Sequence, residues 1–252
     1  MTTSRPYRFF LPSEHWVKIP LRISRREARH LVDVLRVQCG DRVELFDAAG
    51  KQAQARVQSV GREGVSLEIE SERVIERRGP IISLVQAMPK SQKMELIIQK
   101  ATELGTAAIY PVRSERCVVR LDAQQAVERA GRWQRIALEA ATQCGNAWPP
   151  VVHAPVAYSD WCEQARACDL MLLGSMEAGA VPLRKVMTER GERPCDSVIL
   201  LIGPEGDFTA GETKQALGLG AIAVDFGALT LRSETAAIYG LSVLAYELGT
   251  LN

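Results

Sequence analysis

From residue 81 onward, short apolar segments alternate with segments of helical periodicity, and this rhythm constrains the fold more than any other sequence feature. The apolar segments lack polar–apolar alternation, which is typical of parallel strands buried on both faces. A parallel sheet covered by helices is therefore expected. The expected strands are IISLVQA, AAIYPV, DLMLLG, SVILLIG and AIAVDFG.

The first third of the chain has a different pattern, of short strand-like segments separated by turns, and is expected to be mostly β-sheet. RVELFD, QAQARVQSV and VSLEIE are separated by turn sequences, and the last of them alternates as a half-buried strand does. Several short strands with close turns predict a small barrel. Polar and turn-forming residues at 76–80 predict the boundary, which gives domains at 1–78 and 79–252.

A helix is also expected in this first domain. Ser24 and Glu27 have the spacing of a capping box, so the helix is expected to begin at Ser24. Its apolar face would contain Ala28, Leu31, Val32 and Leu35.

Two polar, glycine-containing loops follow strands of the predicted sheet. The first is IGPEGD at 202–207, after which Thr209 and Glu212 form a second capping box at the start of a helix. The second is FGALTLRSETA, which meets a helix at Arg232. Ligands bind at the carboxyl ends of strands in such sheets, so these loops are expected to form a ligand site. Each loop alone is also compatible with an ordinary turn or a capped helix start.

The net charge of +1 hides an asymmetry between the two predicted domains. Residues 1–78 carry 15 Lys and Arg against 11 Asp and Glu, whereas residues 79–252 carry 16 against 19. A basic excess suits a polyanion such as RNA, although a solvated helix face explains the charge equally well. The candidates for RNA contact in this domain are Arg25, Arg26, Arg29, His30 and Arg36.

Several other classes of protein lack support in the sequence. GLGAIA fits a dinucleotide-binding fingerprint, but it follows a predicted helix and precedes a strand, which reverses the required order. G-x-S-x-G, H-E-x-x-H and P-loop motifs are absent. No apolar run approaches the ~20 residues of a membrane span, and the opening MTTSRPYRFFLPSEHW does not predict a secretory signal. Six cysteines without a C-x-x-C pair favour reduced thiols in the cytoplasm and no zinc site.

IGPEGDFT followed by FGALTLRSETA resembles the paired signature of the SPOUT class of methyltransferases. QAMPKSQKMELIIQKATELGTAAIYPVRSERCVV, ALEAATQCGNAWPPVV and ARHLVDVLRVQCGDRVELFD are similar to the bacterial RsmE family, and the resemblance covers nearly the whole chain. It implies an α/β fold with a SPOUT-type parallel sheet and a C-terminal trefoil knot, plus an N-terminal PUA-like β-barrel that binds RNA. It also implies a homodimer that methylates N3 of a uridine in the decoding region of 16S rRNA, in the small ribosomal subunit, from S-adenosylmethionine.

The resemblance also implies roles for individual residues. Arg232 is expected to stabilise the negative charge that develops on the uridine, and Glu205 to hold its loop, contact the cofactor's amino group or accept a proton. No metal is implied. Lys90, Lys93 and Arg116 match the family pattern and are further candidates for RNA contact. The implied cofactor-binding residues are Leu173, Gly174, Ile202, Gly203, Glu205, Gly206, Leu229, Leu231, Arg232, Thr235 and Ala236.

Two positions depart from the family pattern. Asp207 stands where the family usually has a glycine, and Asn146 stands where it often has an arginine. Two other functions remain open: a knotted methyltransferase with another RNA target, and a non-catalytic RNA-binding ribosome-assembly factor. Saturable binding of S-adenosylmethionine would argue against the second.

Overall fold

The computed structural model describes residues 7–17, 20–25, 28–90, 93–119, 121–177 and 179–250. The predicted RNA contact Arg26, the capping residue Glu27 and the side chain of His30 lie outside the described part. The chain divides into two compact units. One comprises Met1–Arg77 with Ala141–Trp148, and the other comprises Arg78–Ala140 with Pro149–Asn252.

The first unit contains a five-stranded sheet in the order β1-β3-β4-β5-β2. Strands β1 and β3 pair in parallel, and the remaining neighbours are antiparallel. The alternation predicted for VSLEIE is confirmed, because Val65 and Leu67 are buried in the core of this unit. The strands are β1 (Tyr7–Phe10), β2 (Leu21–Ser24), β3 (Arg42–Phe46), β4 (Lys51–Gly61) and β5 (Gly64–Val74), with a 3-10 helix at Ser13–Val17.

The helix predicted to begin at Ser24 includes Arg26 and Glu27, which lie outside the described residues. Ser24 ends β2, where its backbone pairs with Gly64, and regular helical structure is a π-helix at His30–Val34. The Ser24 carbonyl accepts a hydrogen bond from the Ala28 amide at 2.8 Å. The predicted apolar face is confirmed, since Ala28 and Leu31 are completely buried.

Residues 141–148 belong to the first unit, although their position in the sequence lies within the predicted second domain. Arg8, whose side chain is 8% exposed, donates to the carbonyls of Ala141 at 2.5 Å and Asn146 at 3.2 Å. The Asn146 side chain accepts from the Trp148 amide at 2.8 Å, so this departure from the family pattern shapes a local turn. A Cβ at Gly50 would lie 2.3 Å from the Trp148 ring, which explains a glycine there.

The second unit contains an eight-stranded sheet within the described residues, in the order β11-β13-β10-β12-β6-β7-β8, with β9 paired to β7. All of its strand pairs are parallel, as predicted. The strands are β6 (Ile81–Ala87), β7 (Ala108–Arg113), β8 (Val151–Val152), β9 (Val156–Ala157), β10 (Leu170–Gly174), β11 (Val181–Pro182), β12 (Ser197–Ile202) and β13 (Ile222–Asp225). The helices are α1 (Lys93–Glu103), α2 (Ala123–Cys144), α3 (Tyr158–Gln164), α4 (Leu183–Arg190), α5 (Ala210–Gly218) and α6 (Ser233–Glu247).

Apolar side chains cover both faces of this sheet. Along β12, Leu200 packs in one core cluster and Leu201 in another, as expected for neighbours that point to opposite faces. The predicted helix start at Thr209 is confirmed, with both hydrogen bonds of the capping box to Glu212 present. The dinucleotide-like GLGAIA spans the end of α5 and the start of β13. In the described part of the chain, no helix combines the length and apolar content needed to cross a bilayer.

Candidate functional site

A cavity of about 290 Å³ lies where β10, β12 and β13 end. These strands are neighbours in the sheet and run in parallel, so their carboxyl ends reach the same edge. Three segments line the cavity, one after each strand, and the third continues into the start of α6. The two loops singled out in the sequence therefore line one cavity, together with the segment after β10.

The structure places the predicted cofactor-binding residues in three kinds of position. Six of them line the cavity: Gly174, Ile202, Gly203, Leu229, Leu231 and Ala236. Leu173 is buried in the core. Glu205, Gly206, Arg232 and Thr235 are exposed and lie outside the lining.

Several lining residues were not among the predicted cofactor-binding residues. They include Ser175, Met176 and Glu177 after β10, and Asp207, Asp225, Phe226 and Ser233. Four of these seven positions lie within or next to the two loops that sequence reasoning had marked. The remaining three follow β10, and the sequence marked this segment only as the end of a strand. The rule that ligands bind beyond the carboxyl ends of parallel strands could have pointed to the residues after Gly174.

Two glycines let the backbone pack tightly at the cavity. A Cβ at Gly203 would lie 2.9 Å from Asp207 Oδ1 and 3.1 Å from the Phe208 amide nitrogen. A Cβ at Gly174 would lie 3.0 Å from the side chains of Ile202 and Phe226. Larger residues at either position would have to displace the walls of the cavity.

A buried hydrogen-bond chain joins the two loops beneath the cavity. The Ser233 hydroxyl donates to the Gly203 carbonyl at 2.7 Å, and Gln86 Nε2 donates to Ser233 Oγ at 2.9 Å. Gln86 and Ser233 are both buried. The start of α6 is therefore fixed to the end of β12 through a side chain of β6.

Lys93 joins the same two loops from the start of α1. Its Nζ lies 3.1 Å from Glu205 Oε1 and 3.2 Å from Glu234 Oε2, and these two carboxylates raise the pKa of Lys93. The Lys90 amide also donates to Glu205 Oε1 at 3.2 Å. Partial burial acts to raise the pKa of Glu205, but hydrogen bonds from its own amide, Lys93 and Lys90 outweigh it and hold that pKa below its ordinary value.

Arg116 supports the loop at 202–207 from a third side. Its Nη1 donates to the Gly206 carbonyl at 2.5 Å, and its Cδ would lie 3.4 Å from a Cβ at Gly206. The adjacent Glu115 amide donates to the carboxylate of Glu212, which is 5% exposed. The structure thus gives Arg116 contacts within the protein at a position that the sequence had suggested for RNA contact.

Arg232 stands at the mouth of the cavity. It is the N-cap residue of α6, and its neighbours Leu231 and Ser233 both line the cavity. Its side chain is exposed and makes no capping hydrogen bond, and no ion pair joins it to another residue in the described ranges.

The basic candidates of the first unit have differing surroundings. Arg25 pairs with Asp33 at 2.5 Å, so part of its charge is already compensated. Arg29 and Arg36 are exposed, and Arg36 has a left-handed backbone with φ of +53°. In the second unit, Lys90 is exposed. No group of three or more His, Cys, Asp or Glu side chains in the described part is placed to hold a metal ion.

Replacing Lys93 with methionine is expected to lower the unfolding midpoint by about 2 °C at pH 7, because two carboxylates lose their shared partner. The folded pKa of Glu205 is lowered, so its contribution is present above the ordinary value of 4.5 and is lost as the pH falls through the lower folded value. The difference between wild type and Lys93→Met, measured by thermal unfolding, should therefore shrink below pH 4.5. Lys185→Met, which removes an exposed pair at 3.7 Å on α4, is the matched control and should have little effect. A difference that grows on acidification would contradict this account.

Comparison with known families defines the class to which this fold and cavity belong. Residues 77–245 match the RNA methyltransferase domain family, and residues 23–70 match the RNA methyltransferase PUA domain family. The parallel sheet with its cavity lies within the first match, and strands β3 and β4 of the five-stranded sheet lie within the second.

Individual relatives narrow the class to one family. Ribosomal RNA small subunit methyltransferase E of Bacillus subtilis is 30% identical over 229 residues, which cover 89% of each chain. The structure of that enzyme from Neisseria gonorrhoeae, bound to S-adenosyl methionine, is 31% identical with a TM-score of 0.83, over 95% of this chain and 97% of that one. A Legionella pneumophila structure described as a methyltransferase in complex with SAM is 32% identical with a TM-score of 0.85, over 96% and 98%. The chain belongs to the ribosomal RNA small subunit methyltransferase E family.

Proposed function

We propose that this protein transfers a methyl group from S-adenosylmethionine to N3 of a uridine in the decoding region of 16S rRNA in the small ribosomal subunit. The observation that carries the proposal is the cavity at the ends of β10, β12 and β13, in a chain of this family. Transfer of labelled methyl to small ribosomal subunits tests it. An N3-methyluridine product would support the proposal, and no transfer would contradict it.

The residues present fit an adenosyl cofactor. Leu229, Leu231 and Phe226 give the cavity apolar walls. An added Cβ at Gly174 would press on Ile202 and Phe226, and one at Gly203 would press on Asp207 and the Phe208 amide, so a side chain at either position would disturb residues at the cavity. The volume of about 290 Å³ lies near the lower end of the ~300–1,000 Å³ common for small-molecule sites.

The proposed chemistry needs a positioned cation more than a strong base. When bound, S-adenosylmethionine supplies an electrophilic methyl on a positively charged sulfur. Uridine N3 loses its proton to solvent and forms the new C–N bond, while the C–S bond breaks and its electron pair stays on sulfur. Negative charge develops on the flanking uracil carbonyl oxygens, where exposed Arg232 would stabilise it.

Glu205 has a positioning role in this proposal. Its carboxylate is occupied by the Lys93 ammonium and the Lys90 amide, and its pKa is held below the ordinary value. A carboxylate with a lowered pKa is a poor acceptor for the uridine proton. The sequence left three roles open for Glu205. Its contacts with Lys93 and Lys90 favour the first of them, which is to hold the loop at 202–207.

We further propose that the protein acts as a homodimer in the cytoplasm, where ribosomal subunits are assembled in bacteria. Exposed aromatic residues on α6 support a partner surface on the second unit, since Tyr246 is 84% exposed and Tyr239 is 44% exposed. The basic excess of residues 1–78 supports RNA contact by the first unit.

Neutralising Arg29 and Arg36 together is expected to weaken binding to 16S rRNA and to reduce the salt dependence of log K by about two, one for each lost phosphate contact. The double variant Arg29→Gln, Arg36→Gln would be titrated against an rRNA fragment between low and moderate salt. Arg166→Gln is the control. It removes one positive charge from an exposed position of the second unit and should leave the salt dependence unchanged. An unchanged salt slope in the double variant would show that these arginines only face solvent.

A further inference from the structure

Asp207 occupies a backbone conformation that usually belongs to glycine. Its φ is +60°, in the left-handed region, and its amide donates to the Pro204 carbonyl at 3.0 Å. Most L-residues are strained there, and Asp and Asn tolerate it better than others. A non-glycine residue at such a position, beside a cavity, suggests that its side chain has a function.

The Asp207 carboxylate lines the cavity and connects two of its walls. Oδ1 accepts a hydrogen bond from the Phe208 amide at 2.8 Å, and Oδ2 accepts one from the Met176 amide at 3.2 Å. Met176 belongs to the segment after β10, and it also lines the cavity. A carboxylate offers about four acceptor sites, so two amides leave capacity for a ligand.

The charged side chains among the lining residues all have the same sign. They are Glu177, Asp207 and Asp225, and the described residues of the lining include no Lys, Arg or His. Asp225 Oδ1 accepts from the Gly227 amide at 3.0 Å, and Glu177 is exposed. A concave site lined by one sign of charge favours a ligand of the opposite sign. Asp207 combines this charge with a position fixed by two backbone amides.

We propose that Asp207 is a specificity-determining residue, whose carboxylate favours the cationic methyl donor over the demethylated product. This inference rests on the proposed function. Methyl transfer converts the positively charged sulfur of S-adenosylmethionine into the neutral thioether of S-adenosylhomocysteine, and the remaining charged groups are the same in both. A fixed carboxylate in the wall therefore stabilises the bound donor more than the bound product, and the product leaves more readily after each transfer.

The test is the affinity of wild type and Asp207→Asn for both compounds, measured by calorimetry. Asparagine tolerates the left-handed backbone and keeps the size of the side chain. It removes the charge and one of the two amide hydrogen bonds, because its Nδ2 donates and cannot accept. The dissociation constant for S-adenosylmethionine is expected to rise about tenfold, whereas that for S-adenosylhomocysteine should change less than about twofold. Asp160→Asn, an exposed carboxylate on α3 outside the lining, is the matched control and should change neither.

Asp207→Gly provides a second variant with a different structural consequence. It removes the carboxylate with both of its amide hydrogen bonds and also relieves the left-handed backbone, so it should lose the preference for the donor as Asp207→Asn does. Equal losses of affinity for both compounds in the two variants would show that Asp207 only bridges the loops, and unchanged affinities would also overturn the inference. A wild-type protein that binds neither compound would contradict the proposed function itself, which separates the two failures.

Discussion

Gly203→Val is expected to weaken S-adenosylmethionine binding by about a hundredfold. The first added carbon would lie 2.9 Å from Asp207 Oδ1, 3.1 Å from the Phe208 amide nitrogen and 3.2 Å from Asp207 Cα. Two of these neighbours are backbone atoms, so rotation of a side chain does not relieve the overlap. The two further carbons of valine must then enter the cavity or push its wall away.

The control for this variant is Gly211→Val in the first turn of α5. Gly211 is exposed, and the nearest atom to an added Cβ is Thr209 Oγ1 at 3.9 Å. Calorimetric titration should show near-wild-type affinity for Gly211→Val, and circular dichroism should show that both variants are folded. Wild-type affinity in a folded Gly203→Val protein would show that the cofactor binds somewhere else.

Arg232→Ala is expected to lower the rate of methyl transfer about 10²–10³-fold, while the affinity for S-adenosylmethionine stays near that of wild type. Arg232 lies outside the cavity lining, so its loss removes little contact with the bound cofactor. Its exposed guanidinium at the start of α6 is the cation placed to meet charge on the uracil ring. The effect should therefore appear in the chemical step.

Single-turnover transfer to small ribosomal subunits separates this step from product release. Arg232→Lys should retain part of the rate, because it keeps the charge but loses the planar fork of the guanidinium. Arg184→Ala, an exposed arginine on α4 outside the lining, should leave the rate unchanged. A wild-type single-turnover rate in Arg232→Ala would remove this residue from the mechanism.

Local patterns were sufficient to predict most of the second unit. The sequences of β6, β10 and β12 are short and uniformly apolar, which is typical of strands buried on both faces of a sheet. The capping residues Thr209 and Glu212 lie where α5 begins. In the first unit the predicted capping partner Glu27 lies outside the described residues, and the next helical segment that the structure assigns is the π-helix at His30–Val34. Strand pairing of Ser24 with Gly64 determined where β2 ends, and pairing of this kind is invisible in a local window.

The sequence was sufficient to predict which loops line the cavity, but not which side chains hold those loops together. Gly203 and Leu231 followed from the strand-end rule and the family resemblance, and both line the cavity. The link that Lys93 makes between Glu205 and Glu234 joins residues more than a hundred positions apart, so spacing carries no sign of it. The docking of residues 141–148 on the first unit depends likewise on Arg8, far away in sequence. The trefoil knot stays a prediction from the family resemblance, since periodicity does not encode the path of a chain through its own loops.

The most direct test of the proposed function is transfer of labelled methyl from S-adenosylmethionine to small ribosomal subunits that lack the modification, with the product nucleoside identified by mass spectrometry. The account predicts N3-methyluridine at one position of the decoding region, formed by wild type and lost with Gly203→Val. If the labelled methyl group is found on a different nucleoside, or in an RNA other than 16S rRNA, the enzyme has another target. No transfer, together with no saturable binding of S-adenosylmethionine, would contradict the account and favour a non-catalytic RNA-binding protein with the same fold.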